Sequence, residues 1–371
     1  MSTKMARLAE IAAQYSLTAS PLPVDNELCL ATRDGLAAVH DYTGSTEEIT
    51  WAGSCLEQLK KRGIKGLSLF IRTVGDSFAA EVNQSKFFLT EYFPGTACDS
   101  SNIFEVRAIA RLLGQVHAAS EELLYLLACP PTRVAPAWRE VARERAAYWR
   151  LAGHRYRQGD RGEAVRQLLR CAEESLNRVE ELVRYYDGAR VLTFPHPTFD
   201  KFVYMSVGHQ VCLNQAYDCL VDWSYISVGH MLVDGGYPND RVLHFLAAYT
   251  NAHPLNATEW QLLFAYLLYP HEWVESLDEL ARGRPNLKGR EVLSQLQDKA
   301  EWLDWLQEQV QKLPGVEVNS STISEVPPPQ PEIALPAAPT EKPQPTRLEK
   351  IVWPLFPKIS IGKGKGSRNR P

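Results

Sequence analysis

Apolar residues fall three and four positions apart over residues 5–17, the spacing that places them on one face of a helix. The same spacing from Thr46 to Gly63 predicts a second helix, which Thr46 can cap and Gly63 can end. Elsewhere before residue 94 the apolar residues alternate with polar ones or form short runs, which is the pattern of strands. The predicted strand segments are 27–42, which holds two strands around a turn at Asp34-Gly35, then 67–72, 77–82 and 86–92. This region therefore predicts a small α+β lobe with an antiparallel sheet.

Pro94-Gly95 ends this pattern, and helical spacing dominates from there to about Leu313. Two of the predicted helices are long and amphipathic, with Arg and Glu on the face opposite the apolar residues. Residues 191–223 interrupt the helical spacing and predict short strands and loops. The predicted helices are Phe104–Ala118, Trp138–Tyr156, Glu163–Tyr186, Asn239–Tyr249, Thr258–Tyr269 and Arg290–Leu313.

The composition changes again at Pro314, because twelve of the 24 prolines lie between residues 314 and 371. Such a segment buries too little apolar surface to fold and favours extended conformations. It ends with an apolar stretch, Trp353–Pro357, and then several Lys and Arg residues among glycines. This end has the composition of a docking peptide; a disordered tail without a partner is the alternative. The predicted domains are an N-terminal lobe (1–93), a helical lobe (94–313) and a disordered tail (314–371).

The overall composition argues against several classes of protein. Hydrophobic residues make up 45% and charged residues 23%, as in ordinary globular proteins, and the net charge of -4 gives no electrostatic basis for nucleic-acid binding. The longest apolar runs, such as Leu123–Cys129, are too short to span a bilayer, and the first residues lack the apolar segment of a signal peptide. The seven cysteines form no Cys-x-x-Cys pair, so we expect no zinc site and a reducing, intracellular compartment.

Five segments resemble one superfamily when they are taken in order. Phe87–Gly95 is similar to the last N-lobe strand and hinge of aminoglycoside phosphotransferases and choline kinases, and Leu112–Ser120 to the helix that follows their hinge. Phe194–Asp200, followed by Leu220–Trp223, resembles their catalytic loop and metal-binding strand. Tyr266–Trp273 resembles the spore coat branch of the superfamily, the CotS-type proteins. The resemblance covers about residues 5–313 and implies a bilobal protein-kinase-like fold.

In the N-terminal lobe, the resemblance implies a nucleotide site from which the main cation is missing. The family's strand lysine, which holds the nucleotide phosphates, falls on His40, and a neutral imidazole is a poor substitute for an ammonium. Glu57 is the carboxylate of the following helix that would partner this lysine. The hinge residues Glu91 and Tyr92 fall where the family binds its nucleotide. No glycine-rich loop precedes them.

In the helical lobe, the family's His-x-Asp catalytic loop corresponds to His196-Pro197-Thr198, so threonine stands at the position of the catalytic base. The metal-binding Asn of the family falls near Phe202 or Val203 and is lost. Asp200 is a candidate for a displaced base, two residues late.

The second metal ligand of the family corresponds to Asp222 in the register we prefer, with Asp234 at a structural aspartate position. In an alternative register the ligand is Asp218, and His230 takes the structural position.

These losses favour a degenerate kinase-like protein, or pseudokinase. The resemblance to the CotS-type branch implies that it serves as a structural or scaffolding component of the bacterial endospore coat. It would be made in the cytoplasm and would contact other spore coat proteins, through the tail residues Trp353–Phe356. We expect no bound cofactor. The alternative is an active small-molecule phosphotransferase that uses ATP and Mg²⁺ on an alcohol acceptor. A third alternative is a pseudokinase that binds a nucleotide without turnover.

Overall fold

A lobe built on an antiparallel sheet precedes a mainly helical lobe. The computed structural model describes residues 3–17, 20–24, 27–33, 35–153, 156, 158–184, 186, 188, 190–236, 239–284 and 287–313. Asp34, at the predicted turn, and the predicted tail at 314–371 with its Trp353–Phe356 segment lie outside the described residues.

The N-terminal lobe contains α1 (Thr3–Gln14), α2 (Thr46–Lys61) and a sheet with strand order β1-β2-β3-β6-β4, to which β5 adds by pairing with β6. All pairs in this sheet are antiparallel, as the sequence predicted. The strands are β1 (Ser20–Val24), β2 (Glu27–Thr32), β3 (Gly35–Tyr42), β4 (Phe70–Ile71), β5 (Ala79–Val82) and β6 (Ser85–Tyr92).

Helix α2 is capped one residue earlier than predicted. The cap is Ser45, whose hydroxyl accepts a hydrogen bond from the backbone N–H of Glu48 at 3.2 Å, and acidic residues fill the first turn. The helix ends where Gly63 adopts a φ of 87°, which an L-residue rarely takes, so the predicted stop is confirmed. The inner face of α2, including Ile49 and Leu56, is buried against the sheet.

The sheet is covered on both faces. Phe88 on β6 packs with α2 in the main core, and the next residues on the strand, Phe87 and Leu89, pack on the opposite face. There they contact the buried residues Ile11 of α1 and Tyr15 just after it. Successive strand residues point to opposite faces, so the two helices fix the orientation of β6 and of its partner β3.

The helical lobe follows short strand β7 (Thr96–Ala97). Its helices are α3 (Ile103–Leu126), α4 (Trp138–Gly153), α5 (Gly159–Val183), α6 (Ser224–Asp234), α7 (Asn239–Thr250), α8 (Ala257–Leu268), α9 (Val274–Ala281) and α10 (Gly289–Val310). The sequence pattern missed α6 and α9. Helix α6 is buried almost all round from Ser224 to Leu232, so it has no polar face for periodicity to reveal. Helix α9 has only eight residues and is too short for a clear pattern.

Two small antiparallel sheets support the loop between β8 and β9. The first pairs β8 (Val191–Thr193) with β11 (Leu220–Asp222), and the second has the order β10-β9-β7. Its strands β9 (Phe202–Met205) and β10 (Gln210–Leu213) form a hairpin. The loop at 194–201 is therefore held at both of its ends by paired backbone.

The two lobes are tied together beside the linker that joins them. Asn214 places its side-chain oxygen 2.8 Å from the backbone N of Phe93 and its side-chain nitrogen 3.0 Å from the carbonyl oxygen of the same residue. Ser68 donates its hydroxyl to the Asn214 carbonyl at 2.6 Å, and its N–H bonds to Leu213. The carboxamide thus satisfies both backbone groups of a linker residue.

The seven cysteines are all free, and five of them are buried. Among the described helices, none is both long enough and apolar enough to cross a membrane.

Candidate functional site

His40 lies on β3, facing the cleft between the lobes, where the resemblance placed the phosphate-binding lysine. The strand register sets it opposite Phe88, and its Nε2 lies 2.9 Å from the Thr90 hydroxyl. Its ring stacks on Phe88 at 4.8 Å between centroids and contacts Tyr217 of the helical lobe at 4.4 Å. Burial lowers the pKa of His40 to about 4, so the ring is neutral at pH 7 and supplies no fixed cation.

Glu57 and Glu48, two carboxylates of α2, have different partners. Glu57, the predicted lysine partner, forms a bidentate pair with Arg72, with both N–O distances at 2.8 Å. Glu48, at the start of α2, accepts hydrogen bonds from Tyr42 and Thr132 at the edge of the cleft. Of these two carboxylates, Glu48 is therefore the one bonded to a residue of the cleft, Tyr42.

The hinge residues are held by protein contacts. Glu91 donates its backbone N–H to the Leu69 carbonyl at 2.8 Å, and its carboxylate lies 3.8 Å from the ammonium of Lys60. Tyr92 is buried and packs with Ala38 and Cys29 in a small cluster at the end of the sheet.

The loop after β8 holds the remaining predicted catalytic positions. His196 has a φ of 45°, in the left-handed region that a histidine rarely occupies, and its ring meets His230 edge-on at 4.6 Å. Burial lowers the pKa of His196 to about 4, and the neighbouring cations Lys201 and Arg145 add to this effect. Lys201 donates its ammonium to the Pro195 carbonyl at 2.7 Å, which closes the loop across its base.

No carboxylate of this loop stands in the position of the base. The Thr198 hydroxyl donates to Asp200 at 2.5 Å, so these two residues pair with each other, and Asp200 is exposed. Val203, five residues after Thr198, occupies a strand position with an apolar side chain. Asp234 accepts the backbone N–H of Phe199 at 2.8 Å, so it supports the loop as the structural aspartate of our first register would.

The two candidate metal ligands lie in different surroundings. Asp218 lines the cavity under His40, at the end of a short 3₁₀ turn before β11. Asp222, the preferred candidate from the sequence, lies at the end of β11, is not among the residues lining this cavity, and accepts the N–H of Trp223 at 2.8 Å. Burial raises the pKa of Asp222 to about 7. On this geometry, the alternative register, with Asp218, is the one that places a carboxylate in the cleft.

A cavity of about 370 Å³ lies between β3 and residues 217–218, within the size range of small-molecule sites. Its polar and aromatic lining includes His40, Asp41, Tyr42, Arg133, Tyr217 and Asp218. Arg133 was not among the sequence candidates. It lies in the segment between α3 and α4, and its terminal nitrogen donates to the carbonyls of Tyr217 and Cys219, each at 3.2 Å. Its segment has no periodicity that could have indicated this role.

Solved structures resemble this chain over most of its length. An aminoglycoside phosphotransferase from Alicyclobacillus acidocaldarius superposes with a TM-score of 0.67 at 16% identity, covering 83% of this chain and 96% of that one. An amicoumacin kinase in complex with AMP-PNP and Ca²⁺ gives a TM-score of 0.51 at 14% identity, covering 82% of this chain and 94% of that one. A spectinomycin phosphotransferase in complex with ADP gives 0.50 at 14% identity, covering 83% and 94%.

The likeness confirms the predicted kinase-like α+β fold, and at these identities it shows the fold alone. No protein-family model matches the chain. No curated protein matches it either.

The residues in the cleft do not fit a nucleotide held by a divalent metal. Such a complex needs a cation on the phosphates and at least two oxygen ligands on the metal. Here the strand position holds neutral His40, and Phe202 and Val203 stand near the position of the family's metal-binding Asn. In the described ranges, no three His, Cys, Asp or Glu side chains are grouped so that they could hold a metal ion.

Proposed function

We propose that this chain is a catalytically degenerate kinase-like protein that acts as a structural or scaffolding component of the bacterial endospore coat. The environment of His40 supports the proposal that the protein is catalytically degenerate, because a neutral imidazole bonded to Thr90 replaces the cation that phosphoryl transfer requires. The spore coat assignment rests on the resemblance of Tyr266–Trp273 to the CotS-type branch. The cleft then serves to pack the lobes against each other or to bind a partner protein, since a fold does not by itself determine a function.

The other losses in the cleft support the same proposal. Thr198 cannot accept a proton at neutral pH as a carboxylate does, and it is bonded to Asp200. Asp200 is displaced by two residues, and catalysis tolerates little misplacement of a reacting group. Three separate positions have each lost a required group, so recovery of activity would need several independent changes.

Domain organisation and partners complete the proposal. The lobes at 1–93 and 94–313 would fold together, and the segment at 314–371 would be a disordered linker with a docking peptide at Trp353–Phe356. Other coat proteins would bind this peptide, and the protein would move from the cytoplasm to the coat. Truncation after Leu313 should leave the melting temperature unchanged and abolish assembly of a fluorescent fusion onto the spore coat of the source bacterium. Unfolding of the truncated protein would contradict the boundary.

The alternative is an active phosphotransferase of the aminoglycoside or choline kinase type that uses ATP and Mg²⁺. One observation favours it, which is that Asp218 faces the cleft and could ligate a metal. Asp200 or a water molecule would then replace the base.

Nucleotide binding separates the two proposals. We expect millimolar ATP with Mg²⁺ to leave the melting temperature unchanged and to be neither hydrolysed nor consumed. A ligand at 100 times its dissociation constant would add about 2.7 kcal/mol of stability, which a melting curve detects easily. A rise in melting temperature that Asp218→Ala abolishes, together with ATP turnover that depends on Asp200, would reject the proposal of a degenerate protein and support the phosphotransferase.

A further inference from the structure

The cavity under His40 has a negative balance of charge. Arg133 is the one Lys or Arg among its described lining residues, and Asp41 and Asp218 are the two carboxylates. The guanidinium is already engaged, because it donates to two carbonyls and lies 4.0 Å from the Glu48 carboxylate. Its charge is therefore shared with a third acid, and an anion that entered the cavity would meet an excess of carboxylate.

Asp218 has the least compensated of these charges. Solvent reaches its carboxylate through the cavity, and among the described residues no hydrogen bond or ion pair within 4 Å is made to it. A positive group placed in the cavity would stabilise the ionised form of Asp218.

Aromatic rings also line this cavity. Tyr217 packs against His40 at 4.4 Å and against Phe88 at 5.1 Å between ring centroids, and Tyr42 meets Phe88 edge-on at 5.7 Å. Faces of such rings attract ammonium and guanidinium groups. His40 adds no opposing charge, since its ring is neutral at pH 7.

We propose that the cavity binds the ammonium end of a lysine side chain presented by a partner protein, with Asp218 as its counter-ion and Tyr217 and Phe88 as its apolar contacts. The proposal rests on the scaffolding function proposed above and gives that function a binding site in the lobed part of the chain. The cleft that in phosphotransferases receives anionic phosphates would here receive a cation. The loss of the strand lysine at position 40 is what permits the change of sign.

The experiment measures binding of an acetylated tetralysine peptide with a neutral dye to the full-length protein by fluorescence anisotropy. Asp218→Asn keeps the shape of the side chain and removes its charge, and we expect it to weaken binding about tenfold or more, as for a charged hydrogen bond. His40→Lys places a competing cation in the cavity and should also weaken binding. The same peptide with ε-acetylated lysines should not bind.

The matched control is Asp298→Asn, which changes the net charge equally at an exposed position on α10. Equal losses for Asp218→Asn and Asp298→Asn would overturn the proposal, because binding would then reflect net charge. Binding of 1,4-diaminobutane with an affinity at or above that of the peptide would also overturn it, in favour of a free amine as the occupant.

The outcome is independent of the test of the proposed function, which measures ATP binding and turnover. Lysine binding without turnover supports both proposals, and turnover without lysine binding rejects both. Melting curves of each variant show that a loss of binding does not come from a loss of folding.

Discussion

Acid should destabilise this protein through its buried histidines before most carboxylates titrate. His196 is the clearest case, because burial lowers the pKa of its ring from 6.5 to about 4 and Lys201 and Arg145 face it. His230 and His271 contribute in the same direction, as burial also lowers the pKa of each. A histidine whose pKa is lowered on folding contributes its full stability to the native state above its unfolded pKa of 6.5. Its stabilising contribution is lost as the pH falls from 6.5 to about 4.

The magnitude follows from the two pKa values of His196. The difference between 6.5 and about 4 corresponds to about 3 kcal/mol at low pH, of which about 2 kcal/mol is already lost at pH 5. His196→Asn removes this titration, and asparagine tolerates the left-handed backbone at this position. The variant can be less stable at pH 7, since it loses the ring contact with His230. Between pH 6 and 4.5, its free energy of unfolding should nevertheless fall less steeply than that of the wild type, by about 1.1 kcal/mol per pH unit.

Urea unfolding followed by circular dichroism at pH 4.5, 5, 5.5, 6 and 7 measures this slope. The chain offers a matched control in His209, which has a φ of 50° but is exposed and bonded only at the surface to Tyr204. His209→Asn makes the same substitution in the same backbone conformation and should leave the slope unchanged. If His196→Asn has the slope of the wild type, the ring is protonated in the native state near its ordinary pKa and the reasoning is wrong.

Three further substitutions test other parts of the structure. Asp222→Asn should stabilise the protein by about 2–4 kcal/mol at pH 8 and by nothing below pH 3.5. The reason is that the raised pKa of about 7 makes the ionised carboxyl unfavourable only as the pH rises above 3.8. An equal effect at both pH values in chemical denaturation would contradict this. Lys299→Met should destabilise the protein by about 3–5 kcal/mol, since it leaves Glu272 without the ammonium 2.8 Å away. In a double-mutant cycle, adding Glu272→Gln should recover most of this loss of stability. Asn214→Leu should lower the free energy of unfolding by about 2–4 kcal/mol, because both backbone groups of Phe93 lose their partner. Thermal unfolding measures this, and no change in stability would mean that water replaces the carboxamide.

Local patterns were sufficient to predict most of the fold. The strand at 86–92 contains a short apolar run because both of its faces are covered, with Phe88 packed on α2 and with Phe87 and Leu89 packed on α1. The long helices are amphipathic because each lies at the surface of the helical lobe. Helix α6 was missed for the opposite reason, since it is buried all round and its sequence shows no period.

The site was harder to predict because its geometry depends on segments that are distant in sequence. His40 could be placed, since a strand residue has a fixed register to its neighbours. The choice between Asp218 and Asp222 could not be made from spacing, because a 3₁₀ turn and a three-residue strand separate them and both follow apolar residues. Arg133 reaches the cleft only through the path of the chain between α3 and α4, which no local pattern encodes.

Under the function we propose, the contacts at the altered positions would hold the cleft in a stable arrangement of its own. His40 is bonded to Thr90, Thr198 is bonded to Asp200, and Glu57 is bonded to Arg72. A lysine restored at position 40 would therefore find no free carboxylate on α2 to orient it. Activity would require a second change to release that carboxylate and a third to supply a base at position 198. Under the proposed function, each intermediate would break a satisfied hydrogen bond without gaining catalysis, so several independent interactions would hold the cleft away from phosphoryl transfer.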